Sequence, residues 1–258
     1  LNLDGAYIPS FNNSLLVKRL KLRNFILLGD PALILAYPEY DIETTSIEDT
    51  LKALGEFTIE GQIENAGEIA SNFNGIVYPI VYDKEIVKTT LGQESCTPMP
   101  YRDQNNILYK GAATVNEGKF SFSFVVPKDI AYNYGPGKIS YYAVDDNELI
   151  PIDANGSVGV NDSGFVDFVI GGTASNINYD YEGADLDLFM NTRNFINGGV
   201  TDRNPVLLVD VIDESGINTV GNGIGHDITA TIDGNMSNVY VLNDFYEAAL
   251  DDYKRGVI

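Results

Sequence analysis

The sequence predicts a mainly β protein, made of tandem β-sandwich units behind a short helix-and-strand opening. Three observations carry this. From Phe57 onward, short runs alternate apolar and polar residues with a period of two, the period of a half-buried strand. Clusters of Gly, Pro and Asn separate those runs, as turns separate the strands of a sandwich. Only the first 38 residues break the pattern, with helical apolar spacing followed by a buried strand.

Within that opening, residues 13–23 have the 3.6-residue apolar period, and residues 24–38 follow directly. Pro31 lacks a donor and pushes Asp30 into extended geometry, so residues 32–37 read as a strand closed by Pro38. A lone helix and strand cannot bury their apolar faces. Residues 1–38 are therefore expected to be the closing piece of another domain. Residues 39–55, acidic and polar around Asp41, Glu43, Glu48 and Asp49, read as a connector.

The first β unit is expected over 39–175. Residues 57–64 alternate cleanly, and residues 75–83 form a second strand in which Pro79 requires an edge or a bulge. Residues 107–115 and 119–126 flank Asn116-Glu117-Gly118, a hairpin signal. Phe120, Phe122 and Phe124 share one face of the latter strand, with Ser121 and Ser123 on the other, which places the rings in the core. Strands at 138–144 and 165–172 complete an immunoglobulin-like sandwich that lacks the usual disulfide and core tryptophan, since Cys96 is the only cysteine and there is no Trp.

After an Asn-rich link, strands at 185–190, 206–213, 227–233 and 239–243 form a second β-sandwich unit over 176–258. Residues 247–255 read as a terminal polar stretch. This unit is thin, and both ends of the chain read as cut.

The net charge of −21, from 37 acidic and 16 basic side chains, repels phosphates and anionic head groups, so nucleic acid is excluded as a partner. The apolar fraction of 44% is ample for a packed core, which excludes whole-chain disorder. No apolar run reaches the roughly 20 residues of a membrane span; residues 26–36 are broken by Gly29-Asp30-Pro31.

Several blocks together resemble a known family. Residues 23–33, Arg-Asn-Phe-Ile-Leu-Leu-Gly-Asp-Pro-Ala-Leu, are similar to the segment that closes the catalytic domain of gingipain-like cysteine peptidases. The blocks at 120–130, 137–143, 213–219 and 223–228 resemble more narrowly the sortase of the type IX secretion system, the C-terminal signal peptidase of Bacteroidetes. The resemblance implies an exported, outer-membrane-associated or cell-surface parent that removes the C-terminal signal from secreted cargo. It implies that residues 1–38 are the remnant of the α/β peptidase domain and that the family's catalytic His and Cys lie upstream of Leu1. No residue here matches them, so no catalytic, cofactor-binding or metal residue is assigned.

The residues that invite other readings fail on their chemistry. Cys96 and His226 fall in different units, and the acid in Gln93-Glu94-Ser95-Cys96-Thr97-Pro98 opposes a thiolate. The glycines of residues 221–225 precede a strand at 227–233 rather than the helix that a phosphate-binding loop needs. Asp145-Asp146-Asn147-Glu148, Asn161-Asp162-Ser163-Gly164 and Asp210 with Asp213-Glu214 offer hard oxygen ligands, so calcium is the residual cofactor candidate. Asx turns explain the same residues without a metal.

The expected function is thus a non-catalytic region of a surface sortase, not itself an enzyme, bracing the upstream peptidase domain or contacting cargo signal domains and other secretion components. The alternative is a surface carbohydrate-binding or adhesin module, for which the 16 tyrosines and 12 phenylalanines supply rings. Cargo and oligomeric state are not written in the sequence.

Overall fold

The computed structural model describes residues 40–93, 96–128, 130–146, 167–175, 182–218 and 227–258. The chain divides into compact units at Tyr37/Pro38, and every described residue belongs to the second unit, Pro38–Ile258. The helix and strand expected within residues 1–38 lie outside the described residues.

Among the described residues the architecture is almost entirely β. The first part of the chain supplies β1 (Asp41–Ser46), β2 (Thr50–Ala53), β3 (Glu56–Asn65), β4 (Glu68–Ile69), β5 (Gly75–Tyr82), β6 (Ile86–Thr89), β7 (Pro100–Asp103), β8 (Ile107–Lys110), β9 (Ala113–Val115), β10 (Lys119–Val125), β11 (Gly135–Pro136), β12 (Lys138–Asp145) and β13 (Val169–Thr173). The remainder supplies β14 (Asp185–Met190), β15 (Leu207–Ile212), β16 (Thr229–Thr231), β17 (Val239–Val241), β18 (Glu247–Ala249) and β19 (Asp252–Val257).

Two sheets face each other across the main core. One has the order β1-β3-β10, with β4 also on β3; the other has the order β12-β5-β8, with β9 also on β5. Phe120, Phe122 and Phe124 all point inward and are buried, as the alternation predicts. From the facing sheet, Tyr109 stacks on Phe122 at 5.6 Å and on Phe124 at 4.8 Å, and Tyr141 meets Phe120 at 5.6 Å. Such ring pairs add about 0.5–1.5 kcal/mol each beyond the area they bury. Tyr141 satisfies its hydroxyl with Thr44 Oγ1 at 2.7 Å, so the polar tip of a buried ring is not left unpaired. A third sheet, β11-β13-β2, closes one side, with β13 running parallel to β2.

The hairpin expected at residues 116–118 is present as a two-residue turn. Asn116 and Lys119 exchange main-chain bonds of 2.9 and 3.0 Å, and Glu117 and Gly118 both have positive φ (50° and 75°). That is a type I′ turn, whose twist matches the flanking strands. Gly118 is required twice over, because a Cβ there would lie 2.6 Å from the Ala70 carbonyl oxygen.

The strand expected over 107–115 is interrupted, and Pro79 is the reason. β5 is a central strand, with β12 on one side and β8 and β9 on the other. The Pro79 carbonyl accepts from Gly111 N at 3.2 Å, so the side of Pro79 that lacks a donor faces the gap between β8 and β9. The edge or bulge expected at Pro79 is therefore corrected: the register runs unbroken from Val77↔Ala113 to Ile80↔Lys110, and the shift between β5 and β8 falls at Val81/Tyr82.

Two expectations are corrected. Residues 39–55 are not a connector: β1 pairs with β3 and β2 with β13, and Leu51 and Ala53 are fully buried. Nor are residues 247–255 a polar tail, since β18 and β19 form a hairpin inside the four-stranded sheet β14-β15-β19-β18. Its core face holds Val209, Val211 and Tyr246. Gly256 lies under the Tyr246 ring, where a Cβ would come within 2.3 Å of it. The strands expected at 185–190, 206–213, 227–233 and 239–243 are found as β14 to β17; β16 and β17 pair as a separate ribbon. Among the described residues no helix is long and apolar enough to cross a membrane.

Candidate functional site

The place where the two β systems meet is built by the turn between β18 and β19. Leu250 forms a parallel bridge to Ala112, in the gap between β8 and β9, and Asp251 N donates to the Ala112 carbonyl at 3.0 Å. The Asp251 carboxylate then accepts from Thr114 N at 2.7 Å and from the Thr114 hydroxyl at 2.6 Å. Asp251 sits at φ 58°, a conformation that Asp and Asn tolerate better than most side chains. Gly111 is the residue whose main chain faces Pro79, so by alternation the Ala112 and Thr114 groups point away from β5, and the turn docks on the outer edge of the β8–β9 run.

Further along, Tyr253 donates its hydroxyl to Glu56 Oε1 at 2.9 Å. Tyr253 also lines a groove of about 200 Å³, whose wall includes Leu54, Tyr109, Phe124 and Val126 from the sandwich and Ile217 from the second sheet system. The sequence blocks at 120–130 and 213–219 both contribute to its wall.

Electrostatics keep the tyrosines of this junction neutral. Burial pushes the Tyr109 hydroxyl far above its ordinary value of 10.0, and Tyr246, Asp251 and Asp252 push it in the same direction. Tyr253 is raised to about 12 by partial burial and by the Glu56 carboxylate that it donates to; Tyr246 is raised to about 12 by burial and Asp252. Phenols held this way donate hydrogen bonds and do not serve as bases near neutral pH. The lining contains neither Cys nor His. Its chemistry is that of apolar contact framed by hydroxyl and main-chain hydrogen bonds.

Cys96 is exposed in the loop joining β6 to β7, where its N–H donates to the Gln93 carbonyl at 3.1 Å. His226 and the glycines of residues 221–225 lie outside the described residues, as do Asn147, Glu148 and residues 161–164. Asp210 is held by Arg193 through two bonds of 2.7 Å, and that guanidinium keeps its carboxyl below the usual carboxylate range. Asp213 accepts from Ser215 N at 2.8 Å in an Asx turn, and Glu214 meets Lys254 at 3.1 Å. Among the described residues, three or more His, Cys, Asp or Glu side chains do not converge as a metal site would require.

Sequence reasoning missed Thr114, Asp251 and Tyr253. The one usable signal was Leu250-Asp251 between two short alternating runs, an ordinary turn pattern that names no partner.

No protein-family model matches the chain, and no curated protein does. Among solved structures, the chain is similar to dimeric latent PorU from Porphyromonas gingivalis, with 27% identity, a TM-score of 0.53, and coverage of 90% of this chain and 22% of that one. It is also similar, far more loosely, to the sporulation control protein Spo0M from Bacillus subtilis, at 12% identity and a TM-score of 0.31 over 68% of each chain. A β-glucosidase from Listeria innocua in complex with gluconolactone follows, at 16% identity and a TM-score of 0.22 over 53% of this chain and 16% of that one. The last two carry no argument about function. The chain thus spans about a fifth of the PorU chain it matches, and that similarity supports the sortase resemblance drawn from the sequence blocks.

Proposed function

We propose that this chain is a non-catalytic β region of a PorU-like type IX sortase, exported and held at the outer membrane or cell surface. In this reading, residues 1–38 complete a gingipain-like peptidase domain, residues 39–175 form the first sandwich and residues 176–258 belong to the second. Their work is to brace the peptidase domain and to offer a surface to cargo signal domains or other secretion components. The observation that supports this best is the similarity to PorU over 90% of the chain. The Asp251–Thr114 tie fits a bracing role, because it couples the two β systems at the outer edge of the β8–β9 run. Affinity capture tests it, with the chain as bait against the parent's peptidase domain and against a signal-bearing cargo domain. Retention of either is expected; retention of neither overturns the reading.

A second reading, a surface carbohydrate-binding or adhesin module, is favoured by one observation. Tyr78 and Tyr142 lie opposite each other on the outer face of the β12-β5-β8 sheet, 41% and 50% exposed, with ring centroids 6.2 Å apart. Glycan-array binding that disappears in Tyr78→Ala and Tyr142→Ala would select this reading over the first.

A further inference from the structure

The open edge of the second sheet system has a chemistry of its own. Among the described residues β14 is an edge strand, and it pairs with β15 over six residues without a bulge, from Asp185↔Ile212 to Met190↔Leu207. Val209 exchanges both of its main-chain bonds with Ile258, at 2.8 and 2.9 Å, so Val209 and Val211 face β19. By alternation, Leu208, Asp210 and Ile212 face β14, and Asp185, Asp187 and Phe189 return those bonds. The N–H and C=O groups of Leu186 and Leu188 consequently point off the sheet, and they have no partner among the described residues.

The side chains sort as cleanly as the main chain. Leu186 and Leu188 lie on the face of Val211 and Val209, yet they are 56% and 61% exposed while the two valines are buried. Asp185 and Asp187 occupy the other face, exposed and without an ion-pair partner among the described residues. Asp187 stands directly opposite Asp210, an unfavourable arrangement for like charges. Arg193 neutralises Asp210 with a bidentate pair and leaves Asp187 uncompensated.

Natural proteins blunt an exposed edge with a bulge, a proline or a lysine. At the far edge of the sandwich, β1 carries Asp41, Glu43 and a bulge at Thr44/Ser46. β14 has neither bulge nor proline, and its charges all have one sign. We propose that β14 accepts an added β-strand from a different polypeptide, an extended segment alternating aliphatic residues with Lys or Arg. Only an extended main chain matches the alternating donors and acceptors of Leu186 and Leu188. The aliphatic positions cover the two leucines, and the basic positions lie beside Asp185 and Asp187, where opposite-charge neighbours stabilise a sheet. A second copy of this chain is disfavoured, since β14 against β14 would set aspartates against aspartates and bring together two bodies each carrying −21.

This inference stands on register, exposure and charge alone and is independent of the sortase reading. The test adds an end-capped octapeptide of alternating Lys and Val, or of alternating Glu and Val, to the 258-residue chain and follows amide exchange by NMR. In the free chain, Leu186 and Leu188 are expected to exchange fast and Asp187 slowly. The Lys-Val peptide should protect both leucine amides and bind at least tenfold more tightly than the Glu-Val peptide. Leu188→Pro removes an outward N–H without touching the β15 ladder and should abolish that protection. Asp187→Lys should reduce or reverse the charge preference without lowering melting, since it replaces a like-charge pair with Asp210 by an opposite-charge one. Slow exchange at Leu186 and Leu188 in the free chain, equal binding of the two peptides, or binding of neither would overturn the proposal.

Discussion

Asp251 accepts two hydrogen bonds from Thr114, one from its main-chain N–H and one from its hydroxyl, across 137 residues of sequence. The pair fastens the β18–β19 turn to the outer edge of the β8–β9 run, the side turned away from β5. Asp251→Ala removes both acceptors and places a poor residue at φ 58°. It should cost about 1–2 kcal/mol by urea unfolding, the scale of a hydrogen bond to a charged group at an exposed site. Asp251→Asn keeps an acceptor and tolerates that backbone, so it should cost less than the alanine variant. Equal losses would mean that the turn, rather than the carboxylate, makes the tie.

The aromatic layer between the two facing sheets should dominate stability. Phe124 is fully buried and stacks on Tyr109 at 4.8 Å. Phe124→Ala should lose about 3–5 kcal/mol, with partial collapse of the cavity setting the value. Val87→Ala, on the exposed β6–β7 ribbon, should fall within about 0.5 kcal/mol of the parent in the same urea titration.

Alkali should unfold the chain through its buried phenols. Burial raises Tyr141 to about 12 and Tyr109 further, from an ordinary value of 10.0. Below pH 10 both states keep the proton, and stability is at its plateau. Above it the unfolded chain ionises first and binds fewer protons, so stability falls by about 1.4 kcal/mol per pH unit for each such group until the folded value is reached. Melting curves at pH 8 to 12, alongside tyrosinate absorbance, check this. Tyr141→Phe should flatten the decline, and an unchanged slope would contradict the assignment.

Three of the carboxylates that the sequence offers to calcium are engaged by protein partners: Asp210 by Arg193, Asp213 by Ser215 N and Glu214 by Lys254. Adding calcium or a chelator should therefore leave the melting temperature unchanged. A rise of several degrees that Asp210→Asn cancels would show that a cation displaces Arg193.

The two-residue period made the central strands legible, because Phe120, Phe122 and Phe124 alternate with serines and each buried residue adds to one signal. The outer strands were harder. β1 presents Asp41 and Glu43 outward, and only Ile42 and the later Leu51 and Ala53 betray burial, so the run read as a polar connector. β19 hides its core contact in Gly256, whose buried partner is the Tyr246 ring rather than an aliphatic side chain. The junction was illegible for a different reason. Thr114 and Asp251 are ordinary residues in ordinary positions, and only the docking of one turn onto one strand edge makes them partners.

The most direct test of the central claim is a cleavage assay on a signal-bearing cargo domain, with the chain alone and with the chain added to its parent protein. The chain alone should release no signal, and alkylating the exposed Cys96 should change neither its melting nor its capture of the peptidase domain or cargo. Signal cleavage by the chain alone, abolished when Cys96 is alkylated, would contradict the account.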